Sequence, residues 1–420
     1  MGVTRRQALQ LGGGALVGAA AGAAAATAAA SAGDPPGPTA PQLPFDSDAE
    51  QQGIVTPRQR QLALAAFTLA PELRGGFGRG ELATLMQDWS AAARQLTAGA
   101  DLARGAGPTA AVGAPADTGE ATGLDAAGLT ITFGFGGAVF DPARALVAAS
   151  TRPRELAAPL PAFDGDALEP GWSGGDLLIS AAADDPQVAV HAVHALARIG
   201  TGAAALRWLQ TGFLPGSGAS TPRNLMGFKD GTVTLEGAAS GTQRRYLWAG
   251  SESPAWMQGG GTFLVVRRIR MLLEGWDRAT LEKQEDTIGR TRAEGAPLGQ
   301  ARESDPVDLA KLKTTGEYAV PERSHVAIAH RAAASGATIH RRPYSYAGGV
   351  DRATGQLDAG LIFLSYQRSI ARQFVPLQRS LAQLDALNEY TRAIGSAAFA
   401  VPPASRGAQD WVGRSLLTGR

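Results

Sequence analysis

An α+β fold built from two copies of one β-α-β-β-α-β unit, the ferredoxin-like arrangement, is what this 420-residue sequence predicts. Three observations carry that expectation. Apolar runs of strand length and runs with helical spacing follow one another in the same order twice. A Gly- and Ser-rich break near 216–220 separates the two passes. The length exceeds one ordinary core, since domains cluster at roughly 100–200 residues.

The first copy, expected over 61–217, opens with a strand at 62–70. A helix follows at 79–99, where "GELATLMQDWSAAARQL" places its apolar residues three and four apart. The runs "LTITFGFGGAVF" and "DLLISAAADD" read as strands between Pro/Gly loops. The helix "PQVAVHAVHALARIG" has Asp185 as N-cap and Pro186 in its first turn, the usual start signals. The strand "AALRWLQTGFL" closes the unit. In the second copy, 218–420, "GGTFLVVRRIRMLL" is a strand, "RATLEKQEDTIGR" a helix, and the chain is irregular through 323. The strands "ATIHRRPYSYAGG" and "GLIFLSYQRS" precede a long helix, "FVPLQRSLAQLDALNEYTRAIG", and a last strand, "SAAFAVPP".

Residues 33–60, rich in Pro, Gly and Gln, read as a linker. Before them, Thr4-Arg5-Arg6, a Gly/Ala/Leu run and Ala30-Ser31-Ala32 have the form of a twin-arginine export signal, 1–32, with an A-x-A cleavage site. A periplasmic or extracellular protein without a membrane span after cleavage is expected. Lysine plus arginine total 39 against 38 acidic residues, which points away from nucleic acid and toward small-molecule substrates. The absence of cysteine excludes disulfides, thiolate ligands, Fe–S clusters and covalent haem attachment, so any haem is held non-covalently.

Five histidines are available for chemistry: His191, His194, His325, His330 and His340. His191 and His194 lie three apart on one helix and could share a metal, but no third ligand is visible nearby in sequence. The other three fall in "PERSHVAIAHRAAASGATIHRRPYSY" with Arg323, Arg331, Arg341 and Arg342. Upstream, "MGFKDGT" sets Asp230 between Gly227 and Gly231; Asp-Gly alone reads as a turn.

Taken in order, "WLQTGFLPGSGASTPRNLMGFKDGT", "WDRATLEKQEDTIGRTRAEGAPLG", "SHVAIAHR", "IHRRPYSY" and "QLDAGLIFLSYQ" resemble the dye-decolorizing peroxidase family, most closely its exported branch associated with bacterial iron-uptake operons. The resemblance runs from about residue 53 to 403. It implies a tandem fold of the dimeric α+β barrel type, haem b as cofactor, and hydrogen peroxide with a small-molecule reductant (dyes, phenols or other one-electron donors) as substrates. Iron-uptake components are implied as partners, and association into a homo-oligomer is expected. Release of iron from haem, the deferrochelatase activity, and non-enzymatic haem binding are the alternatives.

Carried over residue by residue, the resemblance implies Asp230 as the distal acid, His325 as the proximal iron ligand and Arg341 as the distal arginine. A neutral imidazole is a fitting ligand where cysteine is lacking, and its second nitrogen needs an acceptor. Glu389 is the first candidate acceptor and Asp385, one helical turn earlier, the second. Peroxide cleavage needs a base that returns its proton. An aspartate, with an ordinary pKa of about 3.9, stays ionised further into acid than a histidine, so an acidic optimum is expected. Arg341 would stabilise charge on the departing oxygen. Leu361 and Phe363, two apart on one strand, would form apolar walls, and Gly227 and Gly231 would let the backbone approach the haem. Strand alternation lets only one of Arg341 and Arg342 face the iron; Arg342 is expected on the outer surface and His340 opposite Arg341. Lys229 is expected to be solvated. The chain departs from the family pattern at Ala329-His330-Arg331, which sets a second imidazole five residues after His325.

Overall fold

The computed structural model describes residues 42–69, 78–103, 115–215, 221–232 and 234–419. Residues 1–32 and the expected break at 216–220 lie outside them. The described residues belong to one compact unit, 40–420. Its strands are β1 (Gln61–Leu69), β2 (Thr130–Gly136), β3 (Leu177–Ala183), β4 (Ala204–Phe213), β5 (Thr262–Met271), β6 (His340–Arg341), β7 (Tyr344–Val350), β8 (Leu357–Gln367) and β9 (Thr391–Val401). Its helices are α1 (Arg79–Thr97), α2 (Pro186–Ile199), α3 (Ser240–Tyr246), α4 (Leu273–Asp277), α5 (Leu281–Ile288), α6 (His325–Ala334), α7 (Val375–Leu384) and α8 (Arg414–Thr418).

Within the first half the antiparallel strand order is β4-β1-β3-β2, and within the second it is β9-β5-β8-β7, the same order in each unit. The halves join edge to edge through Phe213↔Ser345 on one side and Phe135↔Ala400 with Gly136↔Phe399 on the other. Those junctions close the sheet into a barrel, which removes the open edges that would invite mispairing. Strand β6 pairs His340↔Tyr366 and Arg341↔Ser365 in the register that β7 continues at Tyr344↔Ile362. They are one strand interrupted at Pro343, which has no N–H to give the ladder.

The period-2 pattern divides the core. Leu62, Leu64 and Ala66 point inward with Leu178, Leu264, Val266, Tyr344, Ile362, Leu364, Tyr366 and Phe399 to fill the barrel. Ala63, Ala65, Phe67 and Leu69 point outward and pack with Leu82, Met86 and Trp89 of α1 and Val188, Ala192 and Leu196 of α2. Asp185 caps α2 by accepting from the Gln187 and Val188 N–H groups, with Pro186 in the first turn, as its sequence requires.

Three segments differ from expectation. Residues 42–60 are packed and not a loose linker: Ile54 is buried, and the Gln51 amide accepts from Phe133 N–H and donates to the Phe133 and Pro402 carbonyls. The segment after 323, to which the sequence reading assigns no helix, is the helix α6, with Ser324 as N-cap. The long C-terminal helix stops at Leu384, where Asp385 leaves helical geometry and caps a short 3-10 turn, Ala386–Glu389; β9 then starts at Thr391, earlier than the sequence suggests.

Candidate active site

The site sits on the outer face of the second half. His325 is the first residue of α6, and two hydrogen bonds zip its approach to the end of α7: Ala386 N–H to the Arg323 carbonyl at 2.9 Å, and Arg323 Nε to the Leu384 carbonyl at 3.1 Å. This pairing sets His325 Nδ1 at 2.6 Å from Asp385 Oδ2, while Asp385 Oδ1 accepts the Leu387 N–H at 2.8 Å. A carboxylate only accepts, so Nδ1 carries a proton and Nε2 is the nitrogen left for a ligand bond. Burial alone would lower the His325 pKa, but the charge and hydrogen bond of Asp385 outweigh it and hold the ring above its ordinary value. The charges of Arg341, pulling down, and Asp230, pushing up, also act on the ring.

Asp385, not Glu389, is therefore the partner of His325. The Asp385 side chain is 3 % exposed, whereas Glu389 is 63 % exposed and faces Lys283 at 3.9 Å. Asp385 is not one turn earlier on a helix face, because the helix has already ended; it reaches His325 as the cap of the turn that follows.

Arg341 Nη1 lies 3.3 Å from Asp230 Oδ1. Arg341 shares its sheet face with Ser365, its pairing partner, and with Phe363 and Leu361 further along β8, both half-buried. Leu361 packs on the cluster of Met226, Phe228, Trp276 and Tyr390, and Phe363 on Ile339 and Leu377. His340 lies on the opposite face, inside the barrel, as strand alternation requires. Arg342 is there too and not on the outer surface: it is buried and donates to the Thr56 carbonyl at 2.6 Å. His330, on the exposed side of α6, is not placed with His325.

The loop that presents Asp230 is built, not merely turned. Arg223 and Lys229 bridge, Asn224 Oδ1 accepts from the Met226 N–H at 3.0 Å, and Phe228 packs edge-on against Trp276 at 5.8 Å. Trp276 Nε1 in turn donates to the Met226 carbonyl at 3.0 Å. Gly227 and Gly231 have φ of +86° and +117°, a region that penalises a Cβ, and a Cβ on Gly231 would stand 2.6 Å from Arg58 Nη2. The two glycines are thus required by the loop's own geometry. Lys229 is not solvated: its Nζ lies 2.7 Å from Glu303 Oε2, and Glu303 also accepts from Thr221 and Thr232. Nothing in the sequence near 303 marks that role, since Glu303 acts across more than seventy residues.

The donor set fits a haem. One imidazole has its Nδ1 engaged by a carboxylate and its Nε2 left to hold iron, no thiolate competes, and His325 keeps 34 % of its side chain accessible, which leaves room for a group to reach the ring.

Comparison with known proteins agrees. Residues 51–214 match the model for the N-terminal part of the Dyp-type peroxidases, and 221–406 the model for their C-terminal part. A dye-decolorizing peroxidase of Thermobifida fusca is 39 % identical over 383 residues, covering 88 % of this chain and 84 % of the relative. A deferrochelatase of Escherichia coli is 31 % identical over 375 residues, covering 87 % and 85 %. The structure of ferric DtpA from Streptomyces lividans superposes with a TM-score of 0.81 at 39 % identity, over 91 % of this chain and 98 % of that one. Two complete matching halves, one closed barrel and one imidazole–carboxylate pair facing an Asp–Arg pair lead to one conclusion: the chain belongs to the Dyp-type peroxidase family and is a haem peroxidase.

Proposed function

We propose that Asp230 moves the proton of bound hydrogen peroxide and that Arg341 stabilises the charge on the oxygen that leaves, with His325 as the proximal ligand and Asp385 as its orienting partner. Haem, when bound, supplies the redox chemistry, accepting oxidation from peroxide and passing it to one-electron donors. The observation that carries the reading is the Asp230–Arg341 pair at 3.3 Å, with the His325–Asp385 pair at 2.6 Å built on the same half of the barrel. The Asp230 carboxylate takes the proton from one peroxide oxygen and returns it to the other as the O–O bond breaks. Arg341, held against that carboxylate, presents a fixed cation to the developing negative charge. Half-buried Leu361 and Phe363 keep water from competing. A carboxylate does this work at lower pH than a distal imidazole could, so dye oxidation is expected to peak below neutrality. A pH–rate profile with its maximum above pH 7 would remove that support.

The similarity to a deferrochelatase favours one second reading, iron release from haem within an iron-uptake system. Incubating the haem-loaded protein with reductant and an iron chelator, without peroxide, separates the two: metal-free porphyrin accumulates only under the second reading. The physiological donor belongs to the same proposal, as do homo-oligomer formation and export through the twin-arginine motif at 1–32. The Arg5-Arg6 pair and Ala30-Ser31-Ala32 support export. Replacing both arginines by lysine should retain the protein in the cytoplasm, and unaltered export would contradict it. No described helix is long and apolar enough to cross a membrane.

A further inference from the structure

A second cluster of metal-type donors lies in the first half, away from the haem recess. Helix α2 presents His191, which is buried, and His194, which is exposed, three residues apart on one face. The described residues from Pro115 to Glu120 cross over them, held there by Gln187 Nε2 donating to the Glu120 carbonyl at 2.7 Å and Arg198 Nη1 to the Ala116 carbonyl at 3.3 Å. That crossing brings the carboxylates of Asp117 and Glu120 onto the two imidazoles, which supplies the ligands that sequence spacing alone did not show. His191 Nδ1 lies 3.0 Å from Glu120 Oε2 and 3.2 Å from Thr118 Oγ1, and His191 Nε2 lies 3.6 Å from Asp117 Oδ2. His194 Nδ1 meets the other oxygen of Glu120.

From this juxtaposition we infer that Asp117, Glu120 and His191, with His194 beside them, form a binding site for a divalent transition-metal ion of the zinc type. One ligand atom from each of the first three lies within 4.8 Å of the others. A tetrahedral ion with bonds of about 2.0–2.1 Å needs its ligand atoms roughly 3.3 Å apart, so the side chains close by an ångström or so, mostly through rotation. The donor types suit such an ion: imidazole nitrogen and carboxylate oxygen with no thiol.

Charge argues the same way. Among the described residues the ion pairs of Asp117 and Glu120 are all with these two histidines. Against the two ring nitrogens of His191 the cluster sets two carboxylates, with no Lys or Arg ion pair among the described residues. A divalent cation balances both. The carboxylates are also braced as ligands usually are, since Asp117 Oδ1 accepts the Gly119 N–H at 2.6 Å and Oδ2 the Leu102 N–H at 2.7 Å. The bound ion would pin the loop to α2.

The site is independent of the peroxidase reading and is tested on the haem-loaded protein with zinc sulfate. After equilibration and dialysis, elemental analysis should find one zinc per chain in addition to haem iron, and zinc should raise the melting temperature. Glu120→Gln and Asp117→Asn should each weaken zinc binding by about tenfold or more, while the Soret band and dye turnover stay as in the parent. His194→Ala, a change at an exposed position, should weaken zinc without perturbing the fold and serves as control should either carboxylate variant fold poorly. Zinc content near zero in the parent, or equal affinity in the parent and in His194→Ala together with the folded carboxylate variants, overturns the assignment.

Discussion

Replacing Asp385 by Asn preserves shape at a side chain that is almost wholly buried, and it removes the acceptor that faces His325. Asp385 Oδ1 accepts the Leu387 N–H at 2.8 Å, and the amide oxygen of Asn can keep that bond. The amide NH₂ then falls opposite His325 Nδ1 and donates to it, which drives the imidazole proton onto Nε2, the nitrogen that must hold iron. The loss is at least one charge-assisted hydrogen bond, about 1.5–3 kcal/mol, or about 10- to 150-fold at 1.4 kcal/mol per decade. The independent expectation for an outer partner of a metal-bound histidine is about 10- to 100-fold. Hemin titration of the apoprotein, followed at the Soret band, reads this directly, with the rate of haem transfer to an acceptor protein as a second measure. The Glu389→Gln control, altering a carboxylate that is 63 % exposed and only 3.9 Å from Lys283, should leave both within about twofold. An Asp385→Asn protein that binds haem like the parent, or a Glu389→Gln protein that loses it, would refute the assignment of the proximal pair.

Two further outcomes are expected. Glu303→Ala frees Lys229, Thr221 and Thr232 at once, and with these groups partly exposed the Asp230 loop should lose about 1–2 kcal/mol of preference for its present form; stopped-flow mixing with peroxide should show roughly tenfold slower reaction with haem affinity unchanged, and equal rates would show that the loop holds without Glu303. Burial, reinforced by Arg342 and Arg58, depresses the His340 pKa to about 4 from 6.5, so the native state resists the proton that the unfolded chain accepts; stability is full above pH 6.5 and falls by about 3 kcal/mol as pH drops to 4. Urea unfolding at pH 7 and pH 4.5 should show that His340→Gln flattens this slope, and an unaltered slope would assign the acid loss elsewhere.

How far the sequence carries the structure depends on the range of the interaction that decides each feature. The succession of strands in both halves follows from apolar runs whose periodicity is local, so β1, β3, β4 and β5 are readable within a residue or two, while β2 stops at Gly136, four residues short of the run that announced it. The boundary between α7 and β9 is not, because "ALNEYTRAIG" has helical composition, yet Thr391–Gly395 are extended through their pairing with β5. Asp230, Arg341 and His325 are proposed from motifs, and alternation along the strand anticipates that Arg341 and Arg342 lie on opposite faces. It could not show that the other face is the interior of a closed barrel, where Arg342 finds the Thr56 carbonyl. The choice between Asp385 and Glu389 turned on where one helix ends, and the zipper of Arg323 to Leu384 and Ala386 that settles it joins segments about sixty residues apart. Glu303 and the Asp117–Glu120 contribution to α2 are likewise products of loops crossing in space.

The most direct test of the central claim is rapid mixing of hydrogen peroxide with haem-loaded Asp230→Asn protein. The Asn side chain keeps the shape of the loop and its contact with Arg341 but cannot shuttle a proton. Haem content and the resting Soret band should match the parent, and the rate constant of the peroxide-induced Soret change should fall by about 10²- to 10⁴-fold, the usual share of general acid–base catalysis. A rate equal to the parent's, with haem bound normally, would contradict the assignment of Asp230 as the proton-transferring residue.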